Sequence, residues 1–511
     1  MARSIFQIEL AKAVDPLVLA IDIGSTASRG SLYDAHARPA GQRVKVAHAF
    51  TSRADGTSTI DPDRVLAEVI EIIDGLATKD LKGRLRGVAL DTFASSVIGI
   101  DRQGLALTPC YTYADARSGQ QVDELRRLVD EDAIHERTGV RLHSSYLPAR
   151  LRWLSATDPR TFDKVDRWVT LGEYLHLHLL GRTAVGTSAA SWSGLLDRRT
   201  GAWDPEMLSL CGIGTGQLST VRDPDQPLEA ADNRLDARWP ALKGAQWFAT
   251  IADGLGASVG AGATDNRTIG ASAATSGALR VMVSGPLEQV PTGLWCYRVD
   301  RRRSLLGGAV NDVGRALSWA ANTLALPPEP ALGRALLAEP SEETPLVLPF
   351  FTGERSTGWA SHATAMMTGL HAATDPVQLY RGVVEGIGLT YRRIAVQLVT
   401  HAPGAVRVLA QGRVTQDRPE LLQILADVMG RPVAPVTIKR ATLHGSALLA
   451  LEMLAPGLER TPPRHGPDRR TAPAADGLLL GAAGAVLRTV RQGDRRALVT
   501  CDVPAGTYER W

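Results

Sequence analysis

The chain has 511 residues, with 57 Lys and Arg against 54 Asp and Glu, and 44% of its residues are hydrophobic. This length predicts about two to four domains, and the ordinary composition argues against extensive disorder. The formal net charge of +3 is too small to indicate a nucleic-acid or membrane partner.

Four cysteines lie far apart without CxxC spacing, at Cys110, Cys211, Cys296 and Cys501. This pattern favours neither a zinc ribbon nor a disulfide framework, so we expect a reducing compartment. The longest apolar run, Gly477–Leu487, falls short of the roughly 20 residues that a membrane span needs. No secretory signal is apparent at the N-terminus. We therefore expect a soluble, cytoplasmic protein.

Residues 17–33 predict a strand, a turn rich in Gly, Ser and Thr, and a second strand that begins near Arg29. Thr268–Ser284 repeats this pattern about 250 residues later, which suggests two related halves. Other elements are predicted, in chain order, as a helix at Asp63–Ala77, strands at Gly87–Leu90 and Val97–Asp101, a helix at Ser118–Leu128, helices at Arg315–Leu324 and Val377–Thr400, a strand at Val406–Ala410 and a helix at Glu420–Met429. This mixture indicates α/β layers.

Two stretches interrupt the periodic pattern and suggest domain boundaries. One lies near Gly260–Asn266, and the other covers Leu458–Asp476, where Pro, Arg and Ala replace periodic hydrophobic residues. A short tail follows, with a strand predicted at Ala497–Asp502 and no chemistry that we can assign.

The first hairpin carries the strongest local signal for chemistry. Asp22 ends its first strand, and the turn supplies backbone N–H groups, hydroxyls and a cation at Gly24, Ser25, Thr26, Ser28 and Arg29. This set suits a polyphosphate with Mg²⁺, because amides and hydroxyls bind phosphate oxygens and a carboxylate faces the metal. The GxxxxGK[ST] loop is absent, and a plain hairpin turn is the alternative.

Three later patches of small residues could serve the same ligand. The second hairpin turn offers Thr275, Ser276 and Gly277, and Gly307–Gly314 precedes an amphipathic helix. The candidate nucleotide contacts in and after that patch are Asn311, Gly314 and Ser318, and a fourth patch contains Gly412. Each patch alone is weak evidence, but their order is expected if a nucleotide binds between two similar domains.

The ordered motifs resemble those of the FGGY carbohydrate kinases. The matching segments are DIGSTASR at Asp22–Arg29, LTPCYTYADARS at Leu107–Ser118, YLPARLRWL at Tyr146–Leu154, PFFTGERSTGW at Pro349–Trp359, Ala365–Glu385 and Leu421–Val433. Within the family, Ile251–Gly260 and Ala274–Arg280 are most similar to the gluconokinase branch.

The resemblance implies an α/β fold with two actin/hexokinase/Hsp70-like (ribonuclease H-like) ATPase domains facing a central cleft. The expected domains are 17–260, on the sugar and phosphate side, and 261–455, on the nucleotide side. Residues 456–511 are then a Pro/Arg-rich linker and a short C-terminal tail.

The resemblance also implies ATP and Mg²⁺ as cofactors and one Asp as the general base. Asp253 and Asp265 are the candidates, and Asp253 lies 22 residues before Thr275, whereas Asp265 lies only ten before it. The first spacing fits the family, so we expect Asp253 to be the base. Asp22 is then the Mg²⁺-side carboxylate, and Arg29 offsets developing charge.

The expected sugar pocket departs from the family pattern. Ala94 and Ser95 replace a Met-His pair, or Arg-Glu in glycerol kinases, which would reshape the pocket. Asp115 and Arg117 are retained and could bind hydroxyls or support the pocket wall, and Tyr146 is a further candidate substrate contact.

The leading hypothesis is ATP-dependent phosphorylation of a small sugar or sugar acid, with gluconate the best single guess. A kinase for another polyol or ketose is an alternative, because Ala94 and Ser95 are small and neutral. A catalytically silent sugar-binding regulator on the same fold is another. We expect a small-molecule substrate and neither nucleic acid nor membrane as partner. The sequence leaves the oligomeric state open, with a homodimer as one candidate.

Overall fold

The computed structural model describes residues 7–338, 341, 343–438, 440–463 and 465–467. The tail strand predicted at Ala497–Asp502 lies outside the described residues. The strands are β1 Leu17–Ile23, β2 Ala27–Tyr33, β3 Pro39–Ala47, β4 Thr51–Ser52, β5 Ser58–Ile60, β6 Leu85–Thr92, β7 Ile98–Ile100, β8 Cys110–Tyr111, β9 Arg167–Val169, β10 Val185–Gly186, β11 Val221–Arg222, β12 Gln246–Trp247, β13 Ile251–Ala252, β14 Thr268–Ala273, β15 Gly277–Ser284, β16 Trp295–Arg298, β17 Arg303–Val310, β18 Leu346–Leu348, β19 Met366–Thr368, β20 Arg407–Gln411 and β21 Val433–Pro435.

The helices connect and cover these strands. They are α1 Pro62–Leu76, α2 Gly119–Leu128, α3 Glu131–Thr138, α4 Leu147–Thr157, α5 Pro159–Phe162, α6 Leu171–Leu180, α7 Thr187–Ser193, α8 Pro205–Cys211, α9 Arg234–Arg238, α10 Asp253–Gly260, α11 Gly314–Thr323, α12 Ala331–Leu336, α13 Pro376–His401, α14 Arg413–Asp417, α15 Pro419–Met429 and α16 Ala441–Leu454. The predicted elements that fall on described residues are present, with ends shifted by a few residues, as local patterns usually allow.

Two large sheets share one connectivity. The first has the strand order β12-β6-β1-β2-β3, and the second contains β21-β20-β14-β15-β17 with β16 added at its edge. In each sheet a hairpin, β1-β2 or β14-β15, has its first strand parallel to a later strand, β6 or β20. The halves suggested by the repeated hairpin pattern are therefore two copies of one α/β topology.

Local sequence explains why the first sheet forms. Every residue of β1 is buried, as expected for a central strand with both faces covered. In α1, the side chain of Asp61 caps the N-terminus and Pro62 occupies the first turn. Hydrophobic residues three or four apart on this helix, such as Val65, Val69 and Ile72, are buried in the same core as β1.

The helices at the end of each half pack across the molecule. Residues of α10 join a buried cluster with β15, β16 and β17 of the second sheet, whereas α16 packs on β1 and β6 of the first. Where α10 and α16 cross, a methyl group on Gly260 would lie 1.8 Å from the Ala441 carbonyl oxygen, and one on Gly445 would lie 1.9 Å from that of Gly256. Glycine is thus required for this close contact, which joins the two halves behind the cleft.

Among the described residues, no helix is both long and apolar enough to cross a membrane.

Candidate active site

Three aspartates meet at one edge of the first sheet. Asp22 lies beside Asp91 in the parallel register of β1 and β6, and β13 pairs with the end of β6 before Asp253 begins α10. Because the carboxyl ends of these parallel strands coincide, residues that are far apart in sequence converge. The edge carries concentrated negative charge.

The environment of these groups changes their proton affinity. Burial raises the pKa of Asp91 well above its ordinary value, and the nearby charges of Asp22 and Asp253 add to this effect. Burial also raises the pKa of Asp253 to about 6, with Arg280 opposing the rise and Asp22 adding to it. The backbone N–H groups of Ala94 and Gly254 donate to Asp253. A carboxylate with a pKa near neutrality is suited to accept a proton.

Asp265, the alternative candidate for the base, lies elsewhere. Its carboxylate accepts from the backbone N–H of Arg267 at 2.9 Å in an exposed turn.

The tip of the first hairpin is open to a ligand. Ser25 and Thr26 are exposed, and Gly24 is partly exposed. Arg29 reaches back to Asp22, with Nη1 donating to Oδ2 at 3.1 Å, and its Nη2 lies 3.4 Å from the Thr26 hydroxyl. Backbone amides, hydroxyls and a guanidinium group therefore lie beside the aspartates, and the role of this turn as a phosphate loop stays a prediction.

A buried network supports this loop from behind. Glu68 Oε2 accepts from the Ser28 hydroxyl and from His48 Nδ1, both at 2.7 Å, and His48 Nε2 lies 2.7 Å from the Gly24 carbonyl oxygen. The Ser28 hydroxyl is thus already engaged, which fits a supporting role better than direct contact with phosphate. Sequence analysis missed Glu68 and His48, although a buried acid on an otherwise apolar helix face was a usable signal.

The second hairpin turn lies next to the start of α11. Thr275 and Ser276 are exposed, and the backbone N–H of Gly314 donates to the Ala274 carbonyl oxygen at 2.8 Å. A methyl group on Gly277 would lie 1.9 Å from the Tyr391 hydroxyl oxygen, so only glycine fits there. The turn is held rigidly while its hydroxyls face outward.

A cavity of about 820 Å³ adjoins this turn. Three predicted nucleotide contacts, Thr275, Gly314 and Ser318, line it together with Trp319 and Arg315. Its volume lies in the upper range of small-molecule sites and is suited to a nucleotide.

Two other predicted nucleotide contacts do not line the cavity directly. The Asn311 amide donates to the carbonyl oxygens of Thr352 and Gly353 at 3.0 and 3.1 Å, so it fixes a neighbouring loop. Gly412 precedes α14 with φ +115°, and a methyl group there would lie 2.2 Å from the Ala273 carbonyl oxygen. Gly412 therefore permits close contact between the ends of β14 and β20 beside the cavity.

Ser95, on the expected sugar side, has its polar groups engaged by other residues of the protein. It has φ +55°, and its hydroxyl donates to the Trp192 carbonyl oxygen at 2.7 Å. Its own carbonyl oxygen accepts from Arg150 Nη1 at 2.7 Å. Ala94 contributes its backbone N–H to Asp253, so this pair shapes the site mainly through the backbone.

Asp115 and Arg117 form a closed pair. Asp115 Oδ2 accepts from Arg117 Nη2 at 2.7 Å and from the backbone N–H of Ser58 at 3.0 Å. The Arg117 guanidinium group stacks over Trp153, 4.3 Å from the ring centre. The sequence left open whether Asp115 and Arg117 bind substrate hydroxyls or support the pocket wall. These contacts support the second role.

An aromatic wall lies near the aspartates. Tyr146 and Tyr297 share a hydrogen bond of 2.6 Å between their hydroxyls. The Tyr297 ring stacks with both Trp192 and Trp295, at centroid distances of 3.7 and 4.2 Å. All four rings are buried, so they back the site, and Tyr146, a predicted substrate contact, has its hydroxyl engaged by Tyr297.

The residues present fit a magnesium ion that accompanies a polyphosphate. No group of three or more His, Cys, Asp or Glu side chains forms a ready metal cage within the described part of the chain. However, buried Asp91 Oδ1 finds no hydrogen-bond partner among the described residues, and Asp22 lies beside it. Magnesium commonly takes one or two protein carboxylates, with phosphate and water completing its shell.

Comparison with known proteins gives a consistent result. Residues 17–258 match the N-terminal domain, and residues 271–453 the C-terminal domain, of the FGGY family of carbohydrate kinases. The chain is 23% identical over 453 residues to a gluconokinase of Bacillus subtilis, covering 85% of this chain and 87% of that protein.

Solved structures share the fold. The structure of gluconate kinase from Lactobacillus acidophilus superposes with a TM-score of 0.84 at 23% identity, covering 95% of this chain and 99% of that one. A xylulose kinase from the same organism also gives 0.84, at 24% identity, with 95% and 98% covered. At such identities the likeness establishes the two-domain fold and does not distinguish the sugars.

Proposed function

Because the chain belongs to the FGGY family of carbohydrate kinases, we propose that it transfers the terminal phosphoryl group of ATP to a hydroxyl of a small sugar acid, with gluconate as the substrate. The similarity to gluconokinases supports the choice of gluconate. The observation that carries the proposal is the position of Asp253, a carboxyl group with a pKa of about 6 beside a phosphate-type hairpin and an aromatic wall.

Asp253 acts as the general base. It accepts the proton of the sugar hydroxyl as the hydroxyl oxygen attacks the terminal phosphorus in line. The amides of Ala94 and Gly254 hold its carboxylate in place, so the base is oriented before the substrate arrives.

The two hairpin turns bind the polyphosphate. Exposed hydroxyls and amides at Ser25, Thr26, Thr275 and Ser276 are positioned to donate to phosphate oxygens, and Arg29 adds positive charge. Asp22 and Asp91 would hold Mg²⁺, which supplies charge neutralisation to the phosphates when bound. The nucleoside occupies the cavity beside Trp319 and Ser318.

The test is ADP release from ATP and Mg²⁺ with a panel of gluconate, xylulose, glycerol and other polyols. We expect turnover with gluconate and the highest kcat/KM for it. No turnover with any sugar, in protein that binds ATP, would contradict the kinase proposal and favour a silent sugar-binding regulator.

A kinase for another polyol or ketose remains the second candidate. The Ser95 hydroxyl is bound to the Trp192 carbonyl oxygen, and Ala94 and Ser95 carry no charge that would favour an acid over a neutral sugar. The same panel distinguishes the candidates, because a neutral substrate would then have the highest kcat/KM.

A further inference from the structure

A lone arginine interrupts an apolar strand close to the general base. Arg280 lies in β15, within the sequence ALRVMV, and is partly exposed. A methyl group on Gly254 would lie 3.2 Å from Arg280 Nη2, so the guanidinium group covers the first turn of α10, which Asp253 begins. Sequence analysis missed this residue, although a single charge in a buried strand was a usable signal.

Few protein groups satisfy Arg280. Its Nη1 donates to the Ser272 hydroxyl at 3.2 Å, and the guanidinium group lies 5.9 Å from the Trp295 ring centre. Its buried Nε finds no hydrogen-bond partner among the described residues. An arginine has five N–H donors, so donor capacity remains for a ligand.

A second arginine lies near Arg280 on another segment of the chain. Arg355 follows β18 in the loop FFTGER, is partly exposed, and its Nε also lacks a hydrogen-bond partner within the described residues. The next residue, Ser356, exchanges two hydrogen bonds of 3.0 Å with the backbone of Ala309 in β17, the strand that pairs with β15. The charge of Arg355 also opposes the rise that burial causes in the pKa of Tyr146. Burial lowers the pKa of Arg280, Asp253 opposes this effect, and the charge of Arg355 adds to it. The two guanidinium groups therefore lie close enough for their charges to repel each other.

Neither arginine forms an ion pair with an Asp or Glu of the described chain. Some arginines of low exposure have acidic partners, as Arg381 and Arg393 do with Glu385 and Glu354 at 2.9 and 2.7 Å, and buried Arg150 instead donates to two backbone carbonyl oxygens. Asp253 is the acidic group that influences Arg280, and its charge is needed for the reaction. Around Arg280, two guanidinium groups thus face one carboxyl group, which favours an anionic ligand at this point.

We propose that Arg280 and Arg355 bind the carboxylate of an aldonate substrate and thereby select sugar acids over neutral sugars. This inference rests on the proposed function. Guanidinium groups match the planar carboxylate with paired hydrogen bonds, and a low-dielectric pocket strengthens that contact. The hydroxyls of Tyr146 and Tyr297 bind each other within the buried aromatic wall, so the arginines supply the free donors.

The experiment compares gluconate with D-glucitol, in which an uncharged CH₂OH group replaces the carboxylate. Steady-state kinetics are measured for the wild type, Arg280→Gln, Arg355→Gln and a control, Arg152→Gln. Arg152 is also partly exposed, but its guanidinium group donates to the Leu210 carbonyl oxygen in the helical part of the first half.

We expect each pocket variant to lower kcat/KM for gluconate by about 10- to 100-fold relative to glucitol, and the control to leave the ratio unchanged. Removing Arg280 also raises the pKa of Asp253, but this affects both substrates equally, so the ratio isolates carboxylate binding. The KM for ATP should change less than about threefold, because the inference places no phosphate on these arginines.

Binding provides a readout that does not need turnover. Gluconate without ATP should raise the unfolding temperature of the wild type and of Arg152→Gln, and should fail to raise that of Arg280→Gln. Arg280→Lys keeps the positive charge but loses the planar guanidinium group, so gluconate should still raise its unfolding temperature by part of the wild-type amount. This variant also shows whether the site stays folded without Arg280.

The outcomes separate the two proposals. Gluconate turnover with an unchanged gluconate-to-glucitol ratio in both pocket variants would overturn this inference and leave the kinase proposal intact. A wild type that binds gluconate through these arginines but releases no ADP would support the inference and contradict the proposed activity.

Discussion

Asp22 and Asp91 occupy matching positions on two adjacent parallel strands, and their carboxyl groups lie within hydrogen-bonding reach of one another. Asp91 Oδ2 accepts from the Ser446 hydroxyl at 2.6 Å, so α16 fixes this carboxyl group from behind. Two acids at one strand edge repel each other unless a proton or a cation lies between them. This relationship makes the first sheet the anionic side of the site.

We predict that Asp91→Asn weakens magnesium binding and stabilises the metal-free protein. Removing one of two like charges lowers the attraction for Mg²⁺, so the Mg²⁺ concentration for half-maximal activity should rise about tenfold. The same change relieves repulsion, so the thermal unfolding temperature without metal should increase. Mn²⁺ binding measured by electron paramagnetic resonance checks the first effect independently of activity, and unaltered Mn²⁺ affinity would exclude Asp91 from the metal site.

Asp253→Asn should abolish turnover and preserve nucleotide binding. The amide keeps the shape of the side chain but cannot accept the proton, so kcat should fall by about 10³-fold or more. Asp265→Asn is the matched control, because Asp265 is the alternative candidate and lies in an exposed turn. ADP release and ATP titration by calorimetry measure the two effects. Comparable losses in both variants would remove the base role from Asp253.

The activity should depend on pH through Asp253. Its pKa of about 6 in the free protein means that the base is protonated and inactive below that pH, so kcat/KM should rise as the pH increases through about 6. Arg280 lowers this pKa, whereas Asp22 raises it. Arg280→Gln should therefore move the acid limb to higher pH, which a kcat/KM profile from pH 5 to 8 measures. An acid limb that moves to lower pH in Arg280→Gln would contradict the conclusion that Arg280 lowers the pKa of Asp253.

The same pKa has a consequence for stability. A carboxyl group with a folded-state pKa above its unfolded value favours the folded protein while protonated, and this contribution is lost as pH rises from about 4 to about 6. Asp253→Asn should consequently unfold at a higher temperature than the wild type at pH 8. The difference should shrink at pH 4, which thermal unfolding at the two pH values checks.

Glu68→Gln should loosen the first phosphate loop. Glu68 Oε2 accepts from Ser28 and His48, and Oε1 accepts from Arg64 Nε at 3.3 Å, so the NH₂ group of an amide must face one of these donors and should cost about 1–3 kcal/mol of folding free energy. The KM for ATP should rise several-fold, because His48, which lies against the Gly24 carbonyl, is held less firmly. Glu71→Gln, an exposed position on the same helix, is the control for urea unfolding and kinetics.

Trp319 should report on the nucleotide. Its indole ring lines the cavity, is 38% exposed and packs 4.7 Å from the Phe351 ring centre. ADP binding should change the intrinsic tryptophan fluorescence, and Trp319→Phe should remove most of that change. A full fluorescence response in Trp319→Phe would locate the nucleotide elsewhere.

The sequence by itself determined the two hairpins, the main helices and the ordered motifs of the family. These features are local: β1 is a continuous apolar run that ends in Asp22, and α1 has a capping Asp61 and regular apolar spacing. Such patterns are visible without knowing which segments meet. The choice of Asp253 over Asp265 also came from spacing within the motif order.

Only the tertiary structure brought Asp91 beside Asp22, Glu68 beneath the Gly24 loop, and Arg355 near Arg280. Ser446 and Asp91, which share a hydrogen bond, are separated by 355 residues, and no local pattern encodes such a contact. Strand register decides which acids are neighbours, and burial decides which charges remain unpaired. Both depend on how the two sheets and their crossing helices pack, so they follow from the whole fold.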